Sequence, residues 1–169
     1  MKILEKDIKD VNVVGEIINR INIADKDFFD SESDVICKRQ PFVISLIMSY
    51  QRDLKPNVFE EMTKVVFIVW EYFKLRNKIK RKKITQTQFE KIELRNFQML
   101  KYLEGESDEL ERLKVIDSDL DHLNSKALFA GIRLFFNTSD TFVKMDNHDK
   151  GFLLLDMKCL IECFEKIER

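Results

Sequence analysis

The chain has 169 residues, 44% hydrophobic and 35% charged, which is enough apolar material for one core without disulfides or metals and too much for a disordered chain. Its formal net charge of -1 excludes a global attraction to nucleic acid or anionic membrane and leaves only local patches to supply one. With 4 Gly and 2 Pro, where average usage gives about 20 together, it lacks the turns of sandwiches, barrels and doubly wound sheets. The composition points to an all-α, single-domain bundle of about six or seven helices spanning residues 1–169.

At the amino end, Lys2, Glu5, Lys6 and Asp7 interrupt what a secretory leader would need as an apolar stretch, so export is not expected. Leu4, Ile8, Val11, Val14, Ile18 and Ile21 recur at steps of three and four and predict a first helix, weakened at Gly15. Residues 22–33 are acidic and irregular and read as a loop or short helix anchored by Phe28 and Phe29, with a further helix from Asp34. Pro41 suits a helix's first turn and opens a largely buried helix over 41–53.

Asn57 with Glu60 has the reciprocal capping pattern of a helix start. From there Phe59, Met62, Val66, Val69 and Phe73 trace one stripe, and Ile68, Tyr72, Leu75 and Ile79 another, so this helix belongs at the centre. Its β-branched run over 65–70 also suits a buried strand, but helical periodicity extends beyond it on both sides. At six residues the run falls far short of the roughly 20 that cross a bilayer.

Thr85 with Gln88, or Thr87 with Glu90, caps the next helix, which carries Phe89, Ile92, Phe97, Leu100 and Leu103 and ends at Gly105. Ser107 caps a segment in which Leu110, Leu113 and Ile116 are expected to face inward. Leu120, Leu123, Ala127, Ala130 or Gly131, Leu134 and Phe135 then continue through a longer helix, followed by a loop over 137–149. A last helix from about Gly151 bears Phe152, Leu155, Cys159, Ile161 or Cys163, and Phe164.

Three cysteines, Cys37, Cys159 and Cys163, match no extracellular disulfide framework and favour a reducing, cytoplasmic setting. Cys159 and Cys163 share a helical face without third and fourth metal ligands at a known spacing, so they read as core. Asp117, Asp119 and Asp121 alternate like the opening of a calcium loop, but His122 stands where the turn needs Gly and Leu128 where the final Glu belongs. Asp146, Asp149 and Gly151 fail in the same way, with His148 and Lys150 at ligand positions and Met157 at the last. Neither His122 nor His148 has the Glu three residues earlier that a di-iron bundle needs. Glu106-x-x-Glu109 is similar to half of the magnesium motif of all-helical nucleotide pyrophosphohydrolases, but no Glu-x-x-Asp follows, and a helix start accounts for it. No cofactor, metal or catalytic residue is assigned.

Residues 74–83 hold seven cations and no anion, and Lys74, Lys78, Lys80, Arg81, Lys82 and Lys83 are the candidate contacts for phosphate or an acidic partner. The same cations also suit the exposed C-terminal end of a helix. Residues 104–121 are acidic, and the two regions could pair within one molecule or between two copies. The preferred reading is a non-catalytic module that binds a protein partner or itself, with Phe28, Phe29 and Phe136 as candidate exposed aromatics. Nucleic-acid binding through 74–83 is the alternative, and an enzyme whose site is invisible in sequence the second alternative.

Overall fold

The computed structural model describes residues 5–76 and 82–168. Among the described residues there are nine helices and no strand: α1 (Glu5–Asn22), α2 (Lys26–Arg39), α3 (Pro41–Asp53), α4 (Pro56–Leu75), α5 (Gln86–Gly105), α6 (Glu109–Asp121), α7 (Lys126–Thr138), α8 (Asp140–Val143) and α9 (Asn147–Glu168). The all-helical expectation holds, and the count exceeds six or seven because segments expected to be loop are helical and one expected helix is broken.

The acidic stretch over 22–33 is mostly the start of α2. The Asp25 carboxylate caps it by accepting the Phe28 amide at 2.9 Å, and Phe29 sets its ring edge-on to Phe67 with centroids 5.0 Å apart, so local polarity gives way to two anchors. Over 137–149, α7 runs on to Thr138, α8 adds a turn and α9 begins at Asn147. Phe136 and Phe142 explain this path: both are fully buried and stack with centroids 4.0 Å apart. Phe136 is therefore core, and Phe28 and Phe29 pack against the core half-buried; none of the three forms an exposed aromatic patch.

The helix expected to run on through Phe135 stops at Asp121 and restarts at Lys126. Glu165 of α9 holds the break open, accepting the Ser125 amide at 2.7 Å and the Asn124 side-chain amide at 3.2 Å. A carboxylate from another helix thus takes up groups that a continuous helix would engage itself.

Pro41 and Pro56 each stand in the first turn of their helices. Lys55, not Asn57, occupies the cap of α4 and makes no side-chain cap bond. Thr85 caps α5 by accepting the Gln88 amide, and Asp108, not Ser107, caps α6 through the Leu110 and Glu111 amides.

α4 lies at the centre, as its two apolar stripes imply, with Met62, Val65, Val66, Ile68, Val69, Trp70, Tyr72 and Phe73 all buried. It packs on α1, α3 and α9, and Phe73 stacks on Phe164 of α9 at 4.9 Å. α5 lies along α9, and α1 along α7. Gly131 permits the second crossing, since a Cβ there would stand 2.5 Å from Val14 Cγ1.

Candidate interaction surface

α6 buries no residue. Val115, Ser118, Asp119 and His122, spaced so as to share one helical face, line a cavity of about 590 Å³ together with Arg95 of α5 and Glu162, Glu165 and Lys166 of α9. Leu110, Leu113 and Ile116, at three-residue steps, lie on the far side of the same helix and are 68%, 53% and 38% exposed. The helix therefore turns its mixed polar face to the body and its apolar stripe to solvent, the reverse of the sequence expectation.

The floor beneath α6 explains the reversal. Lys158 of α9 is buried, and its ammonium donates to Glu162 Oε1 at 2.8 Å and to the Asn96 side-chain carbonyl. Arg95 pairs with the other oxygen of Glu162. A buried cation is tolerated only with its hydrogen bonds filled, and α6 supplies the remaining one: Asp119 Oδ2 lies 3.0 Å from Lys158 Nζ. Rolling α6 to bury its leucines would carry Asp119 away from Lys158 and set apolar side chains on a charged floor. Sequence reading missed this cluster, although Lys158 and Glu162, four apart in the otherwise apolar stretch 157–164, were the available signal.

Of the candidate cations in the basic segment, Lys74 is turned onto the body, its ammonium 2.6 Å from Glu32 and 3.0 Å from Glu71. Glu32 also accepts the Trp70 indole N–H at 3.0 Å, and Arg20 pairs with Glu71. Burial works against the Glu32 carboxylate, but the Lys74 and Trp70 hydrogen bonds outweigh it and hold the carboxyl below its ordinary value. Arg76 pairs with Asp10 and lies over the Tyr72 ring. Lys82 and Lys83 are exposed; the Lys82 carbonyl accepts the Gln40 side-chain amide at 3.0 Å, while the Ile84 amide donates back to Gln40 at 2.8 Å. Lys78, Lys80 and Arg81 lie outside the described residues.

Elsewhere, Asp156 of α9 accepts the Tyr50 hydroxyl at 3.0 Å. Burial raises the Asp156 carboxyl to about 6, opposed by the Tyr50 hydrogen bond and reinforced by the Glu93 charge. Burial also pushes the Cys163 thiol up to about 12 and the Cys159 thiol well above its usual value, so both are inert as nucleophiles at neutral pH. Among the described residues no three or more His, Cys, Asp or Glu side chains are grouped to hold a metal ion, and no helix is long and apolar enough to cross a membrane.

The architecture and this surface define an all-helical protein with one apolar helix face turned outward above a charged cavity. No family model, curated protein or solved structure matches the chain.

Proposed function

We propose that the chain is a protein–protein interaction or regulatory module without catalytic activity, with α6 as its docking element. The observation that carries this reading is the exposure of Leu110, Leu113 and Ile116 along one face of a helix whose opposite face is held by the Asp119–Lys158 ion pair. A contiguous apolar stripe held on a preorganised helix is the pattern that partner helices and grooves recognise. The odd number of cysteines supports a cytoplasmic setting.

Replacing Leu110, Leu113 and Ile116 together by Ser tests the reading in affinity purification from the native cell, with Leu134→Ser, an exposed leucine on α7, as control. The triple variant is expected to lose the co-purifying protein by about tenfold or more, equivalent to roughly 1.4 kcal/mol, with unchanged helicity. Equal recovery from all three proteins, or no partner at all, would overturn it. Nucleic-acid binding through 74–83 is the less supported reading, because Lys74 is held by Glu32 and Glu71 and leaves fewer cations for phosphate. Retention on DNA or RNA at low salt, lost when Lys78, Lys80 and Arg81 are charge-reversed, would favour it.

A further inference from the structure

The cavity between α6, α5 and α9 faces away from the leucine stripe. Its volume of about 590 Å³ lies in the range of roughly 300–1,000 Å³ that small molecules occupy. Glu162, Glu165 and Leu123 line it and are buried, so part of its wall is fixed by the core.

The carboxylates of this cavity are already engaged. Asp119 turns both oxygens to Lys158 Nζ, at 3.1 and 3.0 Å. Glu162 gives one oxygen to Lys158 at 2.8 Å and the other to Arg95. Glu165 accepts the Ser125 amide with one oxygen at 2.7 Å and the Asn124 side-chain amide with the other at 3.2 Å. A cation entering the cavity would have to displace one of these partners and strand it.

The donors are in the opposite condition. Arg95 uses one terminal nitrogen on Glu162, which leaves Nε and the second terminal nitrogen of a fork suited to carboxylate or phosphate. Among the described residues, the Lys166 ammonium and the Ser118 hydroxyl make no hydrogen bond or ion pair, and both line the cavity. Lys114, also in the wall, is held by Glu111. Asp119, Glu162 and Glu165 are matched in charge by Lys158, Arg95 and Lys166, so a ligand meets directed donors and not a strong field. Val115 and Leu123 add an apolar wall.

We infer that this cavity binds a small organic anion, its carboxylate or phosphate on Arg95, Lys166 and Ser118 and its apolar part against Val115 and Leu123. Such a ligand joins α6 to α5 and α9 through its own hydrogen bonds. The inference goes beyond the docking reading and does not depend on it, since Leu110, Leu113 and Ile116 lie on the other side of α6.

Benzoate, phenyl phosphate, benzyl alcohol and benzylammonium share one ring and differ in headgroup. Each is titrated into the full chain by calorimetry, with hydrogen exchange of α6 as a second readout. At least one of the two anions is expected to bind about tenfold or more tightly than the alcohol and the ammonium, and to slow exchange of the Glu109–Asp121 amides. The tighter anion identifies the headgroup, and either one supports the inference. Lys166→Gln, at an exposed side chain, and Arg95→Gln are each expected to weaken that anion by about tenfold with helicity unchanged. Lys144→Gln, an exposed cation outside the cavity, is expected to bind as wild type does. If Arg95→Gln disturbs the fold through Glu162, Lys166→Gln still decides. Tighter binding of benzylammonium, equal binding of all four probes, or no binding of any at millimolar concentration would overturn the inference. Anion binding that Lys166→Gln leaves unchanged would overturn it as well.

Discussion

Asp156 lies where two helices meet, and its partner Tyr50 is 106 residues away, so nothing local in the sequence marks it as unusual. Burial raises its carboxyl from 3.8 to about 6, which means that the folded protein keeps a proton there that the unfolded chain has already released. Stability from this group is complete below about pH 4 and is lost as the pH rises through about 6. Glu93 is shifted in the same direction, first by burial and then by Glu90. Asp156→Asn keeps an oxygen for the Tyr50 hydroxyl without the ionisation. Urea denaturation across pH 4 to 7 should show wild type losing stability relative to Asp156→Asn, by up to about 3 kcal/mol for a shift of roughly two units. Parallel stability curves would mean that the carboxylate is as well solvated folded as unfolded. Glu32 works in the opposite sense: its carboxyl is held down, so its contribution is present above the ordinary carboxylate range and lost as pH falls below it.

Helices whose neighbours are apolar could be read from the sequence. α4 and the second half of α9 carry apolar residues on most sides and are buried on most sides, because periodicity alone decides such elements. α1 was legible only in its second half: of the expected stripe Val14 and Ile21 are buried, Ile18 only packs against the core beside the buried Ile17, and Ile8 and Val11 are exposed. α6 was not legible, since the rule that leucines face inward assumes an apolar floor, and its floor is Lys158 with Glu162, supplied by a helix that follows it in the chain. The break before α7 was hidden for the same reason, being made by Glu165. The crossing of α1 and α7 offers a test of packing between elements. Gly131→Ala adds a methyl 2.5 Å from Val14 Cγ1 and is expected to cost about 1–3 kcal/mol through overpacking, although alanine is favoured over glycine in a helix by up to about 1 kcal/mol. Gly15→Ala, on the exposed side of α1 with nothing within 4 Å of the new carbon, should show that propensity gain unopposed. Thermal melts that raise the Tm of both variants would mean that the two helices separate at little cost. Recovery of Gly131→Ala by Val14→Ala would locate the clash.

One hydrophobic core joins residues of the other eight helices, and α6 sets only the half-buried Leu120 against it, so the molecule should not open uniformly. Regions with few buried apolar contacts open at lower free energy than the rest, while central helices exchange their amide hydrogens only when the whole fold opens. α4 and α9 belong to the second kind, since their aromatic and aliphatic side chains fill the centre. α6 belongs to the first, because its attachment is mostly polar: beside Leu120, which packs half-buried on the core, it is held by Asp119 on Lys158 at 3.0 Å and Asp121 on Lys126 at 2.7 Å. Hydrogen exchange should therefore give the amides of Glu109–Asp121 far lower protection than those of Pro56–Leu75. Asp119→Asn sharpens the expectation, because Lys158 keeps Glu162 and Asn96 as partners while α6 loses its charged anchor. A charge-assisted hydrogen bond of about 1.5 kcal/mol predicts exchange in α6 faster by roughly tenfold with α4 unmoved. If α6 instead exchanges in step with α4 and α9 in both proteins, the charged floor ties it into the fold as tightly as an apolar face would, and the exposed leucines are carried on a rigid part of the core.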